Sequence, residues 1–468
     1  MLDRAAKARS GEAGHPLAGL VVIGLGASLA AMDLAVNVAF PAITVAFALE
    51  TPAIRWLVIC YVLTYASLML AFGNLGDHIG YRRVFAAGLV LSLVAFVLCA
   101  VAPSYTWLLL ARIAQGFGTA LVLSCAPALA TLLFEESDRT KALGAYSSLY
   151  AFAGIVAPLA GGAAMAVLGW SGVFWLRAPL ALLALLLLPV LKPMQQPEKA
   201  RALRTFDWRG PALLATGIAA LLLAVSSVNT DAAVWKPVSI GLAGAGFLAV
   251  FARQQRRSPQ PMLPSAVIRE ADFVLANAAS VCVHFVAFAV PLLLPYYLAR
   301  IAGYATEAIG AVIALSPVGA LLGSTLAVPV ARMSGSRRTA LLGGVILGAG
   351  SIAIGASVSA QSFAPLLLAV LLHGVGLGLF HVAYTDVIVA TLPHGARGVA
   401  GSLTMLTRTI GVVTAATALT AAVAAIERAR LAAGTAPAEA FAAALEFVYI
   451  GAGGVLAALL VLGCLRRR

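Results

Sequence analysis

The chain has 468 residues, 62% of them hydrophobic and 10% charged, with a formal net charge of +13. Soluble domains average about 25% charged and 45–50% apolar residues, so a soluble globular, disordered or fibrous protein is excluded. A basic excess alone would fit a nucleic-acid partner; its placement along the chain argues instead for membrane topology and no nucleic acid.

A helix needs about 20 apolar residues to cross the roughly 30 Å of bilayer hydrocarbon. In chain order, spans are expected near 17–46, 53–72, 84–102, 105–134, 142–168 and 172–191. A pair follows near 210–228 and 237–252, then six more near 272–299, 307–331, 339–358, 363–392, 398–425 and 440–463. The expectation is thus an all-α integral membrane protein of about 14 spans. Long Leu- and Ala-rich runs are unlike the short alternating strands of a membrane barrel. The first run follows basic residues as a signal peptide would, but it is too long and carries Asp33 and Asn37, so it reads as a retained first helix.

Lys and Arg alternate loop by loop. With the N-terminus in the cytoplasm, about 23 of the 31 fall inside and about 5 outside; Arg112, Arg177 and Arg408 lie within spans. This predicts a multi-pass protein of the cell inner (plasma) membrane with both termini cytoplasmic. Trp56, Trp107, Trp170, Trp175 and Trp235 cluster at expected outer edges, as an aromatic belt does. Cys60, Cys99, Cys125, Cys282 and Cys464 all lie in apolar runs without a CxxC pair, which reads as small core residues rather than a metal or redox site.

The chain also repeats itself. Gly80-Tyr81-Arg82-Arg83 with Gly88 corresponds to Gly335-Ser336-Arg337-Arg338 with Gly343, at an offset of about 255 residues. Gln115-Gly116-Phe117-Gly118 corresponds to His373-Gly374-Val375-Gly376, Gly144 and Gly154 to Gly401 and Gly411, and Pro41 to Pro295. A nearly constant offset over four helices predicts two parallel six-helix bundles, 17–191 and 271–463. An inserted pair, 210–252, sits between them on cytoplasmic linkers 192–209 and 253–270, with a cytoplasmic N-terminus 1–16 and a basic C-terminus 464–468. Duplication of this kind places substrate at the interface of two rocking halves.

Gly73-Asn74-Leu75-Gly76-Asp77-His78-Ile79-Gly80-Tyr81-Arg82-Arg83 resembles the loop 2–3 signature of the major facilitator superfamily. Met32-Asp33-Leu34-Ala35-Val36-Asn37-Val38-Ala39-Phe40-Pro41 is similar to the first-helix motif of its 14-spanning drug:proton antiporters. Arg112, Gln115, Gly116 and Gly118 match the fourth-helix motif, and Asp207-Trp208-Arg209-Gly210 also looks like that subfamily. The fifth-helix antiporter motif is partly kept: Gly144, Gly154, Pro158, Gly161 and Gly162 fit a bending, close-packing element, while Ala153 and Ala157 stand where Gly is preferred. In the family this kink seals the outer ends of the two halves.

Asp33 leads the candidate site residues. A carboxylate in hydrocarbon costs several kcal/mol unless it is paired, hydrated or protonated, and taking up a proton there suits a proton carrier. Arg112 enters span 4 at a similar depth and should face a cavity or a carboxylate; the resemblance implies that the two couple proton movement. Asn37, Gln115, His284, His373, Tyr384 and Arg408 are expected in the substrate cavity. Arg408 has no obvious carboxylate at its depth, while Arg177, near an outer end, is expected to snorkel to the surface. Gly73, Gly76, Asp77, Gly80, Arg82 and Arg83 read as a conformational latch docking near Gly395–Gly398, mirrored by Arg337, Arg338 and Asp386.

No GxxxxGK[ST] motif points to ATP, and no nucleophile–base pair or metal-spaced cluster points to an enzyme. The expectation is a cofactor-free, monomeric secondary transporter exchanging protons for drugs or other small amphipathic molecules across the lipid bilayer. Proton-coupled uptake of a metabolite shares every feature except the antiporter motif.

Overall fold

The computed structural model describes residues 16–134, 138–191, 209–227, 235–257, 271–391 and 398–465. Residues 192–208 of the first expected linker and 258–270 of the second lie outside the described residues, as do Gly395 and the side chain of Asp77; 253–257 continue α11. The described regular structure is helical. In hydrocarbon this follows from the backbone: each N–H and C=O needs a partner within its own segment.

The first expected span is three pieces, α1 (Pro16–Ala31), α2 (Leu34–Val38) and α3 (Phe40–Ala46), broken at Met32–Asp33 and at Ala39. Then come α4 (Arg55–Ile79), α5 (Tyr81–Ala100), α6 (Tyr105–Leu132), α7 (Arg139–Leu168), the short α8 (Gly172–Trp175) and α9 (Arg177–Leu186). The inserted pair is α10 (Arg209–Ser227) and α11 (Trp235–Arg257). The remainder is α12 (Ala271–Ala287), α13 (Ala289–Arg300), α14 (Thr306–Ser334), α15 (Ser336–Ser359), α16 (Phe363–Thr391), α17 (Gly398–Ala432) and α18 (Pro437–Leu465).

Among the described residues, twelve helical stretches are long and apolar enough to cross a membrane. The expected count of fourteen is not reached. Lys141–Trp175 forms one long apolar stretch that takes in the start of the expected sixth span, leaving the shorter Arg177–Val190. In α10 the described apolar stretch is Ala212–Leu221, within a helix of 19 residues.

The helices sort into two packed groups. α1 packs on α6, α7 and α9, and α6 on α4 and α5; in the second group α16 packs on α14 and α15, α15 on α18, and α12 on α17. α4–α17 and α7–α14 are the main contacts between groups, and α10 lies against both α4 and α17. The sequence repeat has a structural counterpart at two turns. Gly80 and Gly335 both adopt positive φ, 94° and 83°, and each is followed at once by the next helix. A side chain there would be strained, which explains why glycine terminates α4 and α14. We call the end carrying these turns the basic end, after Arg82, Arg83, Arg337 and Arg338.

Candidate functional site in the first helix group

Asp33 stands at the junction of α1 and α2, where the backbone tightens into i→i−3 hydrogen bonds, Asp33 N to Ala30 O at 3.2 Å and Val36 N to Asp33 O at 2.9 Å. Arg112 of α6 grips it with both terminal nitrogens, Nη1 to Oδ1 at 2.5 Å and Nη2 to Oδ2 at 2.9 Å. This two-pronged geometry is the strongest form of carboxylate recognition. Arg112 is itself fixed: Nε donates to Leu57 O at 3.0 Å, Nη1 also reaches Gln115 Oε1 at 2.9 Å, and the guanidinium lies 4.2 Å over the Tyr61 ring. Gln115 Nε2 donates to Asp33 Oδ1 at 3.0 Å.

A third donor comes from α9. Arg177 Nη1 reaches Asp33 Oδ1 at 2.7 Å, and its Nε donates to Val173 O at 3.2 Å. Its side chain is fully buried, with the guanidinium against the rings of Phe96 and Phe174 at 4.6 and 5.3 Å. This corrects the expectation that Arg177 snorkels to the surface. The chain turns inward through a 3₁₀ segment, Gly169–Ser171, and the short α8, so α9 begins inside the bundle. Arg177 is therefore the participant that the sequence reading missed, and only the fold reveals it. Asp33 keeps 17% side-chain exposure while both arginines have 2% or less, so the carboxylate is the solvent-reachable member of the cluster. Asn37, one turn along α2, is buried beside it.

The second group holds a polar cluster of different character. Ser280 Oγ lies 2.9 Å from Thr407 Oγ1, Tyr384 Oη donates to Asn277 Oδ1 at 3.0 Å, and Tyr384 Oη and Thr407 Oγ1 are 3.2 Å apart. His284 Nδ1 sits 2.8 Å from Ser280 O, one turn back in its own helix. The His381 ring is 6.2 Å from the buried His284 ring yet is itself exposed, so it borders an opening inside the bundle. Arg408 is half-buried, and among the described residues it makes no ion pair or hydrogen bond. Its charge acts on His284, His381 and, across the interface, Tyr65 of α4. His373 is elsewhere. It is fully buried, its backbone against Gly350 of α15, and among the described residues neither ring nitrogen has a hydrogen-bond partner; it sits in helix packing rather than at the opening.

The bending motif lies where the two groups touch. An added Cβ at Gly162 would come 2.6 Å from Thr306 O, and one at Gly310 would come 2.3 Å from Pro158 O. Gly161 packs on Ala35 within its own group, a Cβ at Gly154 would meet Leu34 Cδ1 at 3.8 Å, and Gly144 is open. Thr44 Oγ1 and Tyr296 Oη meet at 2.7 Å between α3 and α13. All these inter-group contacts lie at the end opposite Gly80 and Gly335. At the basic end, Asp386 accepts a 2.5 Å hydrogen bond from Ser336, on the turn that carries Arg337 and Arg338. Gly76 packs on Tyr81, and Gly73 is open. Of the tryptophans, Trp107 and Trp235 are exposed, whereas Trp56, Trp170 and Trp175 pack on the core.

The chain is 29% identical over 402 residues to multidrug resistance protein Stp of Mycobacterium tuberculosis, covering 84% of this chain and 73% of that protein. It is 22% identical over 392 residues to the riboflavin transporter RibZ of Clostridioides difficile, covering 84% of each. Its fold resembles the crystal structure of a bacterial homologue of the human lysosomal transporter Spinster, inward-facing and unoccupied. The TM-score is 0.65 at 17% identity, covering 95% of each chain. The Major Facilitator Superfamily pattern matches residues 21–416, so this multi-pass membrane protein belongs to that superfamily of transporters and is not an enzyme.

Proposed function

We propose that the chain is a proton-coupled secondary exporter of drugs or other small amphipathic molecules, working by alternating access. The proposal includes fourteen spans, with α9 and α10 also crossing, a monomer in the plasma membrane, and both termini in the cytoplasm. The observation that carries it is Asp33, at a helix break, partly reached by solvent and gripped by two otherwise buried guanidiniums. A proton arriving on Asp33 removes the charge that anchors Arg112 and Arg177. The two cations then lose their counter-ion in a low-dielectric interior, where separation is costly. Rearrangement of α1, α6 and α9 relieves that cost, and release of the proton on the other face restores the grip. Similarity to a multidrug resistance protein supports the drug class.

In this reading Pro158, Gly161 and Gly162 let α7 close on α14 at the end opposite the basic turns. Gly73, Gly76, Asp77, Gly80, Arg82 and Arg83 form a latch at the basic end, with Arg337, Arg338 and Asp386 as its counterpart. The Ser336–Asp386 hydrogen bond supports the second latch. Uptake of a metabolite is the second reading. It is favoured by Ala153 and Ala157 in the antiporter motif and by the similarity to a riboflavin transporter.

Everted vesicles separate the two. Under export by antiport, adding substrate collapses an established inward proton gradient, and Asp33→Asn abolishes the response while the protein still inserts and folds. A silent gradient with uptake in whole cells selects the metabolite carrier, and full export by Asp33→Asn removes Asp33 from the mechanism.

A further inference from the structure

The interior of the bundle carries more positive than negative charge. Among the described residues, Asp33 is the one carboxylate paired with arginine within the spans, against three guanidiniums there, Arg112, Arg177 and Arg408. The other described acidic side chains are Glu50 and Asp138 outside the long helices, Glu307 in the first turn of α14, Glu439 in the first turn of α18, Asp386 beside the Ser336 turn, Glu427 in the last two turns of α17, and Glu446, further into α18 and level with Gly355; none forms an ion pair with Arg408. Asp33 already has both Arg112 and Arg177, and among the described residues no carboxylate of the first group forms an ion pair with Arg408.

Arg408 is also well placed to meet a ligand. Gly411, one turn further along α17, touches α12 so closely that a Cβ there would lie 2.6 Å from Val281 O and 2.8 Å from His284 Cβ. Arg408 therefore projects from α17 beside the point where α12 and α17 are tightest. The exposed His381 ring borders the opening 6.2 Å from the ring of His284, which stands on the helix pair that Gly411 brings together. Thr407, its neighbour, belongs to the hydroxyl cluster with Ser280 and Tyr384. A half-buried guanidinium in mid-membrane without a counter-ion is expensive to keep, and a charge-assisted contact to an anion is what relieves it.

We propose that Arg408 is the anion-recognition point of the transport site, and that the preferred substrates are amphipathic anions, an apolar body bearing one carboxylate or similar oxyanion. This rests on the exporter reading and narrows its substrate class. The anionic group meets Arg408, with the exposed His381 and the Thr407 region supplying further polar contact. The apolar body lies along the largely aliphatic walls between the halves. Asp33 stays free for its proton because it is paired on the other group.

A consequence for energetics separates this from the alternatives. If one proton enters per molecule exported, outward movement of a monoanion carries two charges per cycle, a neutral molecule one and a monocation none. Each charge is worth roughly fifty-fold in accumulation per 100 mV. The test uses one apolar body with three ends: pyrenebutyrate, its methyl ester, and a pyrene alkylamine. Binding is followed by pyrene fluorescence on the purified full chain, and transport in proteoliposomes with imposed proton and potassium-diffusion potentials.

The carboxylate should bind at least tenfold more tightly than the ester, and its transport should respond to potential more steeply. Arg408→Gln should weaken carboxylate binding tenfold or more and leave ester binding within twofold; Arg408→Lys should recover much of the loss. Binding of the ester or the amine as tight as the carboxylate overturns the proposal, as does an Arg408→Gln variant that weakens all three alike. Failure of the carboxylate to bind at all also overturns it. Carboxylate binding that depends on Arg408, with transport indifferent to the proton gradient, upholds the anion site and sinks proton coupling instead.

Discussion

Asp33 Oδ1 accepts from Arg112, Arg177 and Gln115, whereas Oδ2 accepts from Arg112 alone. The two cations are therefore not equivalent. Arg112 holds the carboxylate in a fixed plane, while Arg177 adds one charged contact and takes its other support from Val173 O and two aromatic rings. Removing Arg177 leaves Asp33 paired but changes the charge around it. Arg177→Gln should cost about 1–3 kcal/mol of stability, the range for losing a charged hydrogen-bond partner, and should lower proton-driven transport at least tenfold. Arg177→Lys, which keeps the charge, should retain more of both. Thermal unfolding in detergent and initial transport rates check this, and a parent-like rate for Arg177→Gln would remove Arg177 from the coupling cluster. Asp33, Arg112 and Gln115 were legible in the sequence because a charge or amide inside a long apolar run needs an explanation. Arg177 was not, because it lies near an apparent span end, where a long cationic side chain is usually free to reach water.

Helix packing at the scale of elements depends on backbone approach more than on large side chains. Apolar burial drives little association in lipid, since the surroundings are already apolar, and close van der Waals contact takes its place. Gly319 and Gly323 of α14 meet α16 in this way: an added Cβ would lie 2.2 Å from Leu371 O and 2.0 Å from Val375 O, respectively. Gly374 and Gly378 return the arrangement toward Ser316 O and Ala320 O at 2.1 and 2.0 Å. Neither backbone can yield locally, so Gly323→Leu should force α14 and α16 apart, costing about 1–3 kcal/mol and lowering the yield of monodisperse protein. Gly144→Ala, with open space around it, should be neutral in the same size-exclusion and unfolding measurements. The apolar runs gave most elements within a few residues. They placed the boundary at Gly169–Ser171 but not the second break, at Leu176, that separates α8 from α9. They also did not show the junctions between α1, α2 and α3, since the tightening into i→i−3 hydrogen bonds at Asp33 leaves hydropathy continuous.

Across the whole molecule the two groups share a frame but not a chemistry. Gly80 and Gly335 are 255 positions apart, and so are the helix breaks at Asp33 and Phe288; the second break carries a phenyl ring where the first carries a carboxylate. Under the proposed roles, Asp33 and Arg408 lie in different halves, and relative motion of the halves is what would link them. That motion requires the contacts at the end opposite the basic turns to open and close as a unit. Gly310 against Pro158 is the tightest of them, with backbone on both sides. Gly310→Leu should hold that end apart while leaving packing within each half intact. Thr44, buried 2.7 Å from Tyr296 in the closed arrangement, then becomes a reporter. In a chain with its five native cysteines replaced by alanine, Thr44→Cys alone should react slowly with a membrane-impermeant maleimide. Combined with Gly310→Leu it should react at least tenfold faster, and transport should fall in parallel. Equal labelling rates in folded protein would mean that this end does not act as a gate, because a wedge at its closest contact would have changed nothing beyond the wedge.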